Sequence, residues 1–249
     1  MNWQSRRETK EARLAGAAPY ADGKQIDAAA IDRALEAALR PGDRVIIEGD
    51  NQKQATFLAK ALTRVDPGKV HDLTMIISSV SLDEHLDVFD KGIASEINFA
   101  YAGVQSVRLA DMLAENKLRV GAIHTYMELY SRLFVDLKPD VCLIAALKAD
   151  PDGNLYTGYS TEDTPILAEA AAFQQGLVIA QANEMVGRGE LPRVDIPGDW
   201  VDFVVEPDQP FQVEPLFTRD PRKIRGQHIL MAMMTIKGIY AKHGVLSLN

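Results

Sequence analysis

Three polar stretches carry the residue types that could do chemistry, and each follows an apolar run and opens a helical pattern. The first is Glu48-Gly49-Asp50-Asn51-Gln52-Lys53. Free N–H groups at a helix start, with a nearby cation, suit a carboxylate or phosphate. The spacing predicts Lys53 in the first helical turn, where the dipole disfavours a cation by roughly 0.3–1 kcal/mol unless an anion is bound. The alternative is a solvated Lys53 with Asp50 or Asn51 as the helix cap. The second stretch is Tyr101-Ala102-Gly103-Val104-Gln105-Ser106, before a helix predicted over Val107 to Glu115. Its small residues permit close backbone approach, and its N–H groups could hold an oxygen that gains negative charge. A plain strand-to-helix connection is the alternative, and Arg108 there is either a carboxylate partner or a surface ion pair. In the third, His124 and Glu128 stand four apart and share a face if helical, which resembles half a metal site. No third ligand is spaced for it, which leaves His124 as a hydrogen-bonding residue near substrate or as a helix cap. Gly-x-Gly-x-x-Gly, P-loop and Gly-x-Ser-x-Gly patterns are all missing, so nothing supports a dinucleotide, a nucleoside triphosphate or a serine hydrolase.

The elements that must position these stretches read as an alternation. Apolar runs over Arg44 to Ile47, Thr74 to Ser78, Ile97 to Tyr101, Val120 to Ile123, Val141 to Leu147, Leu177 to Ala182 and Val201 to Val205 predict strands. Helical periodicity lies between most of them, as in Ile26 to Leu39 and Lys53 to Val65. Strands buried on both faces and alternating with helices predict a three-layer α/β/α fold with a mostly parallel sheet. Ligands then bind beyond the carboxyl ends of the strands. Pro151-Asp152-Gly153-Asn154 predicts a tight turn, Thr164 and Pro165 an N-cap and first helical residue, and Asn183-Glu184-Met185 a polar strand end. Gly187 to Pro215 reads as an ordered surface excursion holding one short strand.

Composition narrows the class. With 47% hydrophobic and 25% charged residues, the 249-residue chain can bury a sizeable core. A net charge of -8 speaks against a nucleic-acid partner. The single cysteine, Cys142, excludes an internal disulfide, fits a reducing, cytoplasmic compartment and reads as core packing. The charged segment Met1 to Arg13 is no signal peptide, and no apolar run of 18 residues suggests a membrane span. Ile229, Leu230, Met231, Met233, Met234, Ile236 and Ile239 make the helix over residues 226–243 apolar on more than one side, so it needs a partner surface.

Asp150, Gly153, Gly158 and Asn183 form a turn, small-residue helix and Asn-bearing strand end that resembles the coenzyme A transferase superfamily. RVIIEGDNQKQATFLAK (Arg44 to Lys60), NFAYAGVQSVRLADM (Asn98 to Met112) and VGAIHTYMELYSRLF (Val120 to Phe134) are similar to the alpha subunits of bacterial malonate decarboxylases. The resemblance implies one coenzyme A transferase-like domain over residues 1–249, the amino-terminal half of a longer two-domain subunit, with the 226–243 helix docking the second domain. It implies transfer of an acyl-carrier-protein thiol from acetyl to malonyl, with acetate released. The chemistry runs through a glutamate that relatives carry in the second domain. None of Glu48, Glu96, Glu128, Glu162 and Glu184 is therefore chosen as nucleophile. The implied substrate wall comprises Gly49, Asp50, Asn51, Gln52 and Lys53, then Ala102, Gly103, Val104 and Gln105, then His124, Asn154, Asn183 and Glu184, with the oxyanion role at Gly103 and Val104. Implied partners are the acyl carrier protein, the decarboxylase subunits, malonate, acetate and competing acyl-coenzyme A. No cofactor is bound covalently, the reactive arm being the coenzyme A-derived group of the carrier. The alternatives are a docking domain inactive alone, another short-chain acyl-coenzyme A:carboxylate transferase, or a sugar-phosphate hydrolase or isomerase on a related sheet.

Overall fold

The computed structural model describes residues 2–49, 53–158, 163–211 and 224–244. The chain divides into a large unit, Met1–Glu214, and a small one, Pro215–Asn249. The large unit runs α1 (Trp3–Ala17), β1 (Ala21–Asp22), β2 (Gln25–Ile26), α2 (Ile31–Ala38), β3 (Arg44–Ile47), α3 (Thr56–Leu62), β4 (Leu73–Ser79), α4 (Glu84–Asp90) and β5 (Ala94–Tyr101). It continues with α5 (Ser106–Ala114), β6 (Arg119–Ile123), α6 (Tyr126–Val135), β7 (Val141–Ala149), β8 (Leu155–Tyr156), α7 (Thr164–Phe173), β9 (Leu177–Met185) and β10 (Phe203–Val205). The small unit holds α8 (Gly226–His243).

The ten strands form one sheet in the order β1-β2-β10-β9-β7-β3-β4-β5-β6, with β8 paired to β7. Among the described strands, the β1–β2 and β7–β8 pairs are antiparallel and the others parallel. Alternation along each strand feeds two cores. Val45 and Ile47, Val141 and Leu143, and Leu177 and Ile179 join the core under α1 to α5. Ile46, Cys142, Ile144, Val178 and Ala180 join the core under α6 and α7.

Two expectations shift, at the starts of α2 and α7. Ile26 leaves the predicted helix because β2 pairs parallel with β10, and Asp27 then caps a 3-10 turn, Ala28–Ala30, that leads into α2. The short strand expected within the 187–215 excursion is β10, which lies in the sheet between β9 and β2 with Phe203, Val204 and Val205 all buried. Helix α7 starts one residue earlier than predicted, with Asp163 at the N-cap and Thr164 inside the helix. The charged N-terminal segment is a helix whose Arg13 is buried and holds Asp43 at 2.5 and 2.7 Å, fastening α1 to the start of β3. Burial of Cys142 pushes its thiol well above the usual range, so it stays a protonated core residue.

Candidate functional site

Strand order reverses at β3. From it the chain proceeds outward through β4, β5 and β6, then returns to the other side of β3 as β7 and continues to β9 and β10. In open parallel sheets the crevice beyond the carboxyl ends at such a reversal is where ligands bind. Among the described residues, two buried ionisable side chains meet there. Glu48 follows Ile46 onto the α7 face, where its carboxylate accepts a hydrogen bond from Ala145 N at 2.7 Å and others from Thr164 Oγ1 and Lys53 Nζ. Lys53 also donates to Ala145 O at 2.9 Å and to Thr164 Oγ1. Both ionisable side chains are fully buried. Burial pushes the Glu48 carboxyl up, to about 7; Lys53 pulls it down, Asp163 adds to the rise, and Thr164 opposes it. Lys53 thus lies ahead of α3 rather than in its first turn, and it is neither solvated nor presented at a surface. A lysine cannot be left unpaired at 0% exposure, and the glutamate five residues earlier supplies the countercharge.

Gly49 turns to the opposite face and is wedged against β4 and α4. A Cβ there would lie 2.3 Å from Ser79 O and 2.6 Å from His85 Cε1, so only glycine fits. His85 is buried and held neutral, its pKa lowered to about 3 by burial. Asp50, Asn51 and Gln52 lie outside the described residues.

The second stretch sits at the carboxyl end of β5. Ala102 precedes a 3-10 turn, Gly103–Gln105, which feeds α5. Gly103 takes φ +49°, and the Gln105 amide donates to Asp83 at 2.8 Å. Val104 is 83% exposed. Arg108 is an ion-pair residue, bound to Asp87 at 2.6 Å and Asp90 at 2.9 Å. His124 lies one strand away, its N–H donating to Phe99 O at 2.8 Å. The cap of α6 is Thr125, not His124. The buried His124 ring has Glu128 3.5 Å from Nδ1 and Arg132 3.4 Å from Nε2, and a guanidinium at that nitrogen disfavours a metal. Among the described residues no three His, Cys, Asp or Glu side chains gather as metal ligands.

The remaining candidates lie elsewhere. Asn154 locks the β7–β8 turn: its amide donates to Asp150 at 2.9 Å and accepts from Gly198 N at 2.8 Å, with Gly153 at φ +85°. Strand β9 runs through Asn183 instead of stopping there, and the Asn183 amide closes on the backbone of Phe211 at 2.7 and 3.0 Å. Glu184 pairs with Lys148 at 2.7 Å. The stretches at β3, β5 and β6 therefore share one sheet edge, whereas Asn154 serves its own turn. Reading by sequence missed Thr164 as the third member of the Glu48–Lys53 group, and it missed Gln181. The signal for Gln181 was a glutamine inside Leu177 to Ala182, a run read as a buried strand.

No helix among the described residues is long and apolar enough to cross a membrane. A family model described as malonate decarboxylase, alpha subunit, transporter, matches residues 2–249. The chain is 51% identical over 242 residues to the acetyl-S-ACP:malonate ACP transferase of Malonomonas rubra, an alignment that covers 97% of this chain and 43% of that protein. Among solved structures, a Pseudomonas malonate decarboxylase hetero-tetramer in complex with malonate matches at a TM-score of 0.89 and 56% identity, over 98% of this chain and 44% of that one. The malonate decarboxylase alpha subunit from Acinetobacter baumannii matches at 0.89 and 55%, with the same coverage. Glutaconate coenzyme A-transferase from Acidaminococcus fermentans, at 0.62 and 17%, covers 88% of both chains and shares the fold. The chain spans less than half the length of the malonate decarboxylase relatives it matches. With the family model matched over nearly every residue and half the positions identical to a curated member, the chain belongs to the malonate decarboxylase alpha subunit family.

Proposed function

We propose that this chain forms part of an acyl-carrier-protein transferase of malonate decarboxylase, which moves the carrier thiol from acetyl to malonyl and releases acetate. The observation that carries this reading is 51% identity, along 97% of the chain, to an acetyl-S-ACP:malonate ACP transferase. The reacting thioester is delivered on the coenzyme A-derived arm of the carrier, and the decarboxylase subunits are the further partners. The glutamate nucleophile lies outside these 249 residues. Two features of the site agree with that. The buried carboxylate at the strand reversal, Glu48, is already engaged by Lys53 and Thr164. The open edge at β5 and β6 offers backbone N–H groups at Gly103 and Val104, which suit an oxyanion, and exposed apolar side chains that need a cover.

A second reading, a domain that serves docking alone, draws on α8, whose Met231, Met233 and Met234 side chains are more than 60% exposed. One experiment separates the two. Transfer from acetyl-carrier protein to labelled malonate is measured with this chain and with the chain extended to the length of its relatives. Activity confined to the extended form is expected. Transfer by the 249-residue chain would put the nucleophile among its own carboxylates, and silence in both forms would leave docking.

A further inference from the structure

The turn between β5 and α5 is held from outside by α4, through charges placed where each helix alone would disfavour them. Arg108 is the third residue of α5, and Asp90 is the last of α4. A cation in a first turn and a carboxylate in a last turn both oppose the helix dipole. Pairing between the helices offsets this: the Arg108 guanidinium donates to Asp87 at 2.6 Å, to Asp90 at 2.9 Å and to the backbone oxygen of Asp83 at 3.1 Å. Lys117, beyond the other end of α5, reaches the same Asp90 at 3.1 Å. Asp83 in turn stands at the N-cap of α4 without capping it. Its carboxylate instead accepts from the Gln105 amide at 2.8 Å, while His85 Nδ1 accepts from Ser81 N and Leu82 N. Helix α4 is a firm base for these contacts, since His85, Leu86, Val88 and Phe89 are buried. An isolated surface pair contributes little, but several acceptors on one guanidinium form a network that fixes geometry.

We propose that Arg108 is a positioning residue for the transfer: with Gln105 it sets the tilt of the 3-10 turn Gly103–Gln105, and so aims the N–H groups of Gly103 and Val104 at the oxygen that gains charge as the thioester reacts. The proposal rests on the transferase reading above. Gly103, at φ +49° and without a side chain, gives the turn little stiffness of its own, so its orientation depends on what holds its two ends. One end is tied to β4, where Val80 N donates to Tyr101 O at 2.7 Å. The other is tied to α4 by Gln105 and Arg108. Arg108 touches no reacting atom in this role, because its donors are spent on α4. Donors that meet charge only as it develops act on the rate of the chemical step and not on ground-state binding.

The test uses the chain extended to the length of its relatives and compares Arg108→Met, Arg108→Lys and the double variant Asp87→Asn, Asp90→Asn. Arg108→Met should lower kcat by about tenfold, less than the roughly 100-fold or more of removing an oxyanion donor outright, with the KM for malonate and for acetyl-carrier protein unchanged. Arg108→Lys keeps the charge but loses the planar fork, and should retain about a third of the wild-type kcat. The double aspartate variant should lower kcat as Arg108→Met does, since it removes the same contacts from the α4 side. Hydrogen exchange in residues 101–106 reads the turn without turnover and should quicken by about tenfold in Arg108→Met. If the wild type transfers nothing and this local quickening is seen, the transferase reading fails while the hold of Arg108 on the turn stands. Unchanged kcat or unchanged exchange in Arg108→Met would overturn the proposal. So would a rise in the KM for malonate in the Arg108 variants alone, which makes Arg108 a substrate contact. Equal losses of kcat and melting temperature, with exchange quickened throughout the domain, would overturn it too and make the network structural.

Discussion

Two stretches of the same sheet edge have opposite characters. At β3 and β7, where strand order reverses, the described charges turn inward: Glu48 and Lys53 are fully buried and bind each other, Thr164 and the backbone of Ala145. At β5 and β6 the edge is open, with Val104 83%, Met127 75% and Ile123 66% exposed. Topology alone would put a ligand at the reversal. The difference teaches that chain topology names an edge, while the polar atoms left over after folding say which part of that edge can take a ligand. The inward-turned charges hold the turn after β3. The open part has backbone donors and apolar side chains to offer.

The largest break of this contrast is expected from Lys53→Met. It leaves Glu48 buried without its cation, which costs about 3–5 kcal/mol. Urea unfolding at pH 8 measures it. At pH 5 the penalty should shrink, because a protonated Glu48 needs no countercharge. A loss under about 1 kcal/mol at pH 8, typical of an exposed pair, would show that the turn opens to solvent.

Glu48 itself sharpens the comparison through pH. Its native pKa is raised from 4.5 to about 7, so the folded protein keeps a proton that the unfolded chain has given up. That contribution is fully present below pH 4.5 and is lost as pH rises towards 7. Lys53, Asp163 and the protonated Cys142 are the charged and titratable groups around it. The Glu48→Gln variant should therefore lose less stability than the wild type between pH 5 and 7.5 in parallel melts. Parallel curves would mean that Glu48 is ionised throughout.

Next in size comes Gly49→Ala. Its methyl would press on a backbone oxygen at 2.3 Å, where the strand cannot yield as a flexible side chain would. Overpacking of this kind costs roughly 1–3 kcal/mol. Denaturant titration of the variant, with the slope unchanged, is the check. A neutral result would mean that the β3 turn moves more easily than its packing implies.

Much of this was legible beforehand, and what was not has physical causes. The buried strands showed as apolar runs because both faces of a parallel sheet must be apolar. Residues 25–26 did not, since a two-residue strand has no period, and Val204 and Val205 pairing beside it is a long-range event. Lys53 was misplaced because spacing gives a helix phase but not where the helix begins. The countercharge five residues back, Glu48, becomes a partner only when the turn folds over Ala145. Gln181 was hidden by its neighbours, since one polar residue in an apolar run does not change the strand pattern, though its Oε1 accepts from two N–H groups in the first turn of α3. The turns at 101–106 and 121–128 were placed within a residue or two because glycine and threonine punctuate them locally.

The smallest change in stability is expected on the open side. Val104→Ser and Met127→Ser alter side chains that are 83% and 75% exposed, so each should move unfolding by about 0.5 kcal/mol or less. Solvent already covers these groups, and neither contributes to the two cores. If the open edge is a surface that another part of the complete enzyme covers, the same substitutions should weaken assembly and raise the KM for acyl-carrier protein. The double variant should do so by more than either single. Size-exclusion of the assembled complex and steady-state transfer would be read together. A pair of variants that unfold normally, assemble normally and turn over normally would make β5 and β6 ordinary surface. The contrast with β3 and β7 would then reduce to burial alone.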